Sequence, residues 1–258
     1  AGRLFINEVK VLDLTPTQDR QSSDPVPSRC RDCPIRRLGF CQVLEPRDVH
    51  TLSRIAHRRV LKPGQTVMRY DEKPMFWAAV SSGVLKLTKL LADGRQQIVD
   101  LLFPSDFVGR LFANQSPYFI EAVTHAELCC FRVSDFEAML AERPMMKQQL
   151  FEHTLSKLDS AHEWMILLGR KTAEERVASL LYTMVTRSSI AQACSSTLDR
   201  VPRFDIAMKR DEMGTFLGLS YETVIRQLKS LNDQGVIALV GRRSFQVPDL
   251  QALRLAAG

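Results

Sequence analysis

Between Pro144 and Gly169 the chain has neither proline nor glycine. Pro144 suits the first turn of a helix, where its missing N–H would have no partner anyway. The stretch predicts about 25 residues of unbroken helix, roughly 37 Å at 1.5 Å per residue. A helix this long connects the two halves of the chain. Along it Phe151, Leu155, Leu158, His162 and Met165 recur at spacings of four and three. That is a heptad seam, best explained by a twofold partner. His162 interrupts it and is expected to reach solvent at the helix edge.

Ahead of this helix, from about Val43 to Leu140, the text reads as short strands separated by turns. Leu61-Lys62-Pro63-Gly64 and Ser81-Ser82-Gly83 mark turns, and Val84 to Lys89 alternates as a half-buried strand does. Asp93-Gly94 signals a hairpin between Leu85–Leu91 and Gln96–Leu102. A further turn spans Phe103 to Gly109, and Ala126 to Val133 is another apolar strand. Such regular strands predict an antiparallel roll. Within the last strand Cys129 and Cys130 must point to opposite faces.

Behind the helix, Thr172-Ala173-Glu174-Glu175 forms a capping box and opens a helix through Leu181 and Met184. Residues 188–203 are polar and read as a loop. Phe204, Ile206 and Met208 alternate as a strand. Asp211 to Leu217 reads as a helix, Gly218 as a tight turn, and Ser220 as the cap of a second helix. That helix would bury Val224, Leu228 and Leu231, which makes the pair a helix-turn-helix. Strands Val236–Val240 and Ser244–Val247 flank Gly241-Arg242-Arg243 and form a basic wing. The second helix then enters the major groove with Tyr221, Glu222, Ile225, Arg226 and Lys229 exposed. Arg226 can bond a guanine edge and Glu222 can accept from a cytosine amine. Ser220, Lys229, Arg242 and Arg243 suit phosphates.

The remaining chemistry lies near the start. Ser28 to Gln42 carries Cys30, Cys33 and Cys41, half of the six cysteines, at spacings of two and seven intervening residues. Thiols so placed converge if a metal or an iron–sulfur cluster holds them. The fourth ligand would be Cys129, Cys130 or Cys194, and the Ser and Ala neighbours of Cys194 suit an ordinary thiol. Arg29, Arg31, Arg36 and Arg37 should lower the thiol pKa values and offset negative charge. Zinc is a weaker fit, because structural zinc sites usually come as two C-x-x-C pairs. Residues 1–27, rich in Pro, Thr and Ser, read as a flexible leader.

The net charge of +6 is unevenly spread: residues 1–43 carry seven cations against five anions, and residues 170–258 carry thirteen against nine. The excess suits an anionic partner. No apolar run approaches the roughly 20 residues of a membrane span. The N-terminus lacks a signal-peptide core, so a cytoplasmic location and reduced thiols are expected.

Taken together these features resemble the CRP/FNR family of bacterial transcription regulators, over essentially residues 43–250. The wording that carries the resemblance is Phe103-Pro104-Ser105-Asp106-x-x-Gly109, Ala173-Glu174-Glu175-Arg176, and Leu217-Gly218-Leu219-Ser220-x-Glu222-Thr223-Val224-x-Arg226. The C-x2-C-x7-C run resembles the oxygen-responsive FNR branch. The resemblance implies an α+β fold: an N-terminal antiparallel β-roll of the cyclic-nucleotide-binding type, a long dimerisation helix and a C-terminal winged helix-turn-helix. It implies a fourth ligand fifteen residues before Pro144, at Cys129, with Cys130 as the alternative. It implies a 4Fe–4S cluster that favours the DNA-binding homodimer without oxygen and is lost in oxygen. The partners implied are a palindrome resembling TTGAT-N4-ATCAA and RNA polymerase. The family usually has Ser before the recognition arginine; Ile225 stands there in this chain and could contact a thymine methyl instead. The segments are then a leader (1–27), a cysteine segment (28–43), a roll (44–142), a dimer helix (143–169) and a DNA-binding domain (170–258).

Other classes fit less well. A cyclic-nucleotide receptor needs an acidic residue and an Arg-Ser pair in its phosphate pocket. Here Gly109 is followed by Arg110-Leu111-Phe112 and then Gln115-Ser116-Pro117-Tyr118. A regulator without a cluster, stabilised by zinc or answering another effector, is the main alternative. The five histidines are scattered and no Ser/His/Asp or metal-hydrolase spacing appears, so an enzyme is not expected.

Overall fold

A computed structural model of the chain describes residues 26–31, 33–113, 115–192, 203–205, 208–241 and 244–258. Residues 1–25 of the expected leader, Cys194, Ile206, Arg242 and Arg243 lie outside the described residues.

Alternating apolar residues and glycine turns build the first half into eight strands. They are β1 (His57–Leu61), β2 (Thr66–Met68), β3 (Phe76–Ser82), β4 (Leu85–Leu90), β5 (Gln96–Leu102), β6 (Phe107–Val108), β7 (Phe119–Ala122) and β8 (Ala126–Arg132). Two four-stranded antiparallel sheets result, ordered β1-β8-β3-β6 and β2-β7-β4-β5. Between them Leu61, Val80, Leu85, Val108 and Leu128 form a dry core. The Asp93-Gly94 hairpin closes β4 on β5, with Leu90 opposite Gln96. Gly83 has φ +81°, and a Cβ there would lie 2.2 Å from the His125 carbonyl, so the turn admits glycine alone.

The strand-only reading of residues 43–140 needs correction at both ends. Short helices precede the roll: α1 (Ser28–Arg31), α2 (Pro34–Leu38), a 3₁₀ turn (Phe40–Val43) and α3 (Pro46–Ile55). Another, α4 (Val133–Glu142), follows it. Each has a helical face too short to stand out as a period: Val49, Leu52 and Ser53 in α3, and Phe136, Met139 and Leu140 in α4. These faces cover the outer side of the β1-β8-β3-β6 sheet. There Phe40, Trp77, Phe131, Phe136 and Met146 form a second core, with Trp77 stacked on Phe136 at 3.9 Å.

The long helix is α5 (Pro144–Arg170), 27 residues. Its buried residues are Met146 near one end and Leu167 near the other. The seam between them faces solvent in the single chain: Phe151 is 63% exposed, Leu158 51% and Met165 69%, with Leu155 and His162 exposed as well. α6 (Ala173–Gln192) follows, capped as expected by reciprocal bonds between Thr172 and Glu175. It runs on to Gln192 through the first part of the stretch read as loop. Polarity suggested an end there, but no proline or glycine enforces one before Pro202.

The last part holds β9 (Arg203–Asp205), α7 (Arg210–Leu217), α8 (Tyr221–Asp233), β10 (Ala238–Val240), β11 (Ser244–Gln246) and α9 (Leu250–Ala257). The three strands form one sheet, ordered β10-β11-β9. A third core joins Leu181, Phe216, Leu228 and Phe245 to Leu167 and to Ile98, Leu101 and Phe103 of the roll. Among the described residues no helix is long and apolar enough to cross a membrane.

Candidate functional site

Four cysteines from separate elements line one pocket: Cys30 on α1, Cys33 at the start of α2, Cys41 in the 3₁₀ turn and Cys129 on β8. The strand pairing decides which of the adjacent cysteines takes part. Cys129 lies opposite Ala79, and Trp77 lies opposite Phe131, all facing the outer core. Cys130 lies opposite Ala78 and faces the roll interior among Leu61, Val80 and Leu128. The alternative residue therefore does not line the pocket.

Ile35, Val49, Leu52, Ala56 and Phe131 supply apolar walls, with Arg36 and Ser53. The arginines lower the thiols as expected, but burial in this environment outweighs them. Burial pushes the Cys129 thiol up to about 12, reinforced by Cys33 and Cys30. Burial also raises Cys41 strongly, with Cys129, Cys33 and Cys30 adding to it, and raises Cys30. Arg36 works against both of these shifts but does not overcome them. Cys130 is raised by burial to about 11, with Arg59 working against the shift. Among the described residues no three His, Cys, Asp or Glu stand in an arrangement that could hold a metal ion.

The helix-turn-helix is built as expected. Gly218, at φ +65°, ends α7, and its N–H donates to the Gly214 carbonyl. Ser220 caps α8 by accepting from the Thr223 N–H at 3.2 Å. α8 buries Val224, Leu228 and Leu231 and leaves Tyr221, Glu222, Ile225, Arg226 and Lys229 on its outer face. Arg226 and Glu222, one turn apart, share an edge of that face.

Several residues that hold this surface were not read as such from the sequence. Glu174 accepts from Ser230 Oγ at 2.7 Å and from Gln234, both near the end of α8. Arg176 donates to the Leu217 carbonyl at 3.1 Å, at the end of α7. The Ala173-to-Arg176 wording is thus a brace for both helices. Gly214 is fixed by proximity, since a Cβ there would lie 2.6 Å from the Leu219 carbonyl. Asp106, 1% exposed, accepts from the Phe103 N–H at 2.9 Å. It also pairs with Lys157 of α5 at 2.9 Å and Arg187 of α6 at 3.1 Å. It ties the roll to both helices; its place in the Phe103-to-Gly109 turn was the one available sign.

A roll of two antiparallel sheets, a long helix with an outward apolar seam and a winged helix-turn-helix define a class: DNA-binding transcription regulators with an N-terminal roll. Residues 58–143 match the cyclic nucleotide-binding domain, and residues 175–256 match the Crp-like helix-turn-helix domain. The chain is 43% identical to the transcriptional activator protein FnrL of Cereibacter sphaeroides, over 89% of this chain and 92% of that protein. It is 31% identical to the nitrogen fixation regulation protein FixK of Bradyrhizobium diazoefficiens, over 82% and 86% of the two chains. The solved structure of FixK2 from Bradyrhizobium japonicum superposes with a TM-score of 0.69 at 28% identity, over 79% of this chain and 98% of that one. The chain belongs to the CRP/FNR family of transcription regulators.

Proposed function

We propose that the protein is an oxygen-responsive regulator whose DNA-binding homodimer is stabilised by a 4Fe–4S cluster on Cys30, Cys33, Cys41 and Cys129. The observation that carries this reading is the single pocket lined by these four thiols. The donor set fits: four sulfurs and an apolar surround suit an iron–sulfur cluster, whereas oxygen or imidazole ligands are wanting. The sequence adds that structural zinc sites usually come as two C-x-x-C pairs, whereas this chain pairs Cys30 with Cys33 alone. Bound there, the cluster supplies an oxygen-labile crosslink between the cysteine segment and the roll.

The chain's own residues do the rest. Cys30, Cys33 and Cys41 tether the segment to Cys129. Phe40 packs that segment against Trp77, Phe131 and Phe136, and Met146 at the start of α5 belongs to the same core. Phe151, Leu155, Leu158 and Met165 pair with a second copy, which places two α8 helices about 34 Å apart, one turn of the duplex. Glu222 and Arg226 read a G·C pair in each half of a palindrome resembling TTGAT-N4-ATCAA, and Ile225 contacts a thymine methyl beside it. Ser220, Lys229, Arg242 and Arg243 hold phosphates. The assembled dimer acts on RNA polymerase in the cytoplasm.

The test is purification without oxygen, with iron, sulfide and palindrome binding measured before and after air. Iron and sulfide in comparable amounts, and binding that falls in air, are expected. Colourless, iron-free protein that binds equally well in air ends the proposal.

A further inference from the structure

Four arginines flank the cysteines in the sequence, but they are not equivalent in the fold. Arg29 and Arg31 are exposed on α1, with the Arg29 side chain bonded to the Cys30 thiol, and Arg37 is exposed on α2. Arg36 alone of the four lines the thiol pocket. Its Nη1 is shut off from solvent and has no hydrogen-bond partner among the described residues. Buried donors are almost always bonded, so such an atom calls for an acceptor. The pocket wall offers no carboxylate, and the Ser53 hydroxyl, which donates to the His50 carbonyl at 2.7 Å, makes no bond to Nη1.

A group held by four thiolates brings negative charge into apolar walls, which is costly without a cation beside it. Building on the cluster reading above, we propose that Arg36 is the counter-ion of the pocket, donating through Nη1 to the sulfur-ligated anion. Arg36 sets how firmly that anion is retained and how readily it accepts an electron. Hydrogen bonds and charge around the sulfurs are the protein's means of tuning such a group. A guanidinium is the fitting donor, because its charge is permanent, it is planar with several donors, and its hydration is weak.

The experiment uses the full chain purified without oxygen as wild type, Arg36→Lys, Arg36→Leu and the exposed control Arg37→Leu. Iron and sulfide per chain, the anaerobic rate of iron loss to a chelator, and the midpoint potential are measured. Arg36→Leu is expected to lose iron about tenfold faster, the equivalent of one charged hydrogen bond, and to show a lower potential. Arg36→Lys should fall between it and wild type, and Arg37→Leu should match wild type. If Arg36→Leu retains no iron at all, a Lys variant with intermediate retention and potential sustains the proposal, and one matching wild type in both overturns it. Wild-type rate and potential in Arg36→Leu overturn it too, as does an equal change in Arg37→Leu. A wild-type chain without iron and sulfide instead brings down the cluster reading itself, and Arg36's role with it.

Discussion

Adjacent cysteines on opposite faces of β8 allow a test in which neighbouring substitutions have opposite consequences. Cys129 lines the thiol pocket, while Cys130 packs in the roll interior at 8% exposure. Replacing Cys130 with Ala removes one buried sulfur. A group of that size is worth about 0.8 kcal/mol in transfer, and a residual cavity adds to it, so a loss of about 1–2 kcal/mol is expected. Iron content should not change, because the missing thiol points away from the pocket. Replacing Cys129 with Ala removes one of the four proposed ligands from a partly exposed wall. Iron and sulfide should fall to background, while the apo-protein loses less than about 1 kcal/mol, since the site is not a filled core position. The assays are urea unfolding of the iron-free proteins and iron and sulfide analysis of anaerobic preparations. Iron loss in Cys130→Ala with retention in Cys129→Ala would refute the reading of the β8 register.

Three further outcomes are expected. Asp106→Asn should destabilise the chain by about 1–3 kcal/mol in urea, below the usual cost of breaking a buried pair, because Lys157 and Arg187 are partly exposed and can turn to water. The exposed Asp93→Asn should leave the urea midpoint unchanged, and equal effects would dismiss Asp106 as a tie. Leu158→Lys should leave the thermal unfolding of the monomer intact but shift the protein to monomer in sedimentation and weaken palindrome binding by tenfold or more; an unchanged dimer would remove the seam. The third outcome concerns pH: the Cys129 thiol is raised by burial from 9.0 to about 12, so the folded apo-protein holds a proton that the unfolded chain releases sooner. Its contribution is intact below pH 9.0 and is lost as pH rises toward 12, so Cys129→Ala should flatten the alkaline fall in stability.

Elements with a strong period or a marked boundary were legible in the sequence: α5 from Pro144 and its proline- and glycine-free run, α8 from Ser220 and its buried face, and the β4–β5 hairpin from Asp93-Gly94. The helices α3 and α4 were not, because each shows its apolar face over only one or two turns. The cysteine spacing pointed to a shared site, and strand alternation said that Cys129 and Cys130 must part company. What alternation could not say is which of them faces which core, since that depends on the β3–β8 register. Arg36 was likewise invisible among four similar arginines, because the turn of a five-residue helix decides which one points inward. Asp106 gave no pattern, as its partners Lys157 and Arg187 lie 51 and 81 residues further on.

The placement of α5 suggests how a pocket near the N-terminus could control a recognition helix near the C-terminus. Among the described residues the thiol pocket touches neither α7 nor α8. Its walls belong to the core that buries Met146, with Leu150 packed against it. The first seam residue, Phe151, follows Leu150 directly, so the pocket and the seam meet within about one turn of helix. At the far end, Leu167 sits in the core that carries α7 and α8, while Lys157, midway along α5, and Arg187 of α6 pair with Asp106 of the roll. A rearranged cysteine segment would therefore be felt first as a shift at the start of the seam, while Glu174 and Arg176 still hold the reading helices in place. In the proposed regulator, loss of the pocket's occupant separates two intact readers instead of damaging either one. The physical reason is that two half-sites are read strongly only when one rigid dimer presents both helices at once.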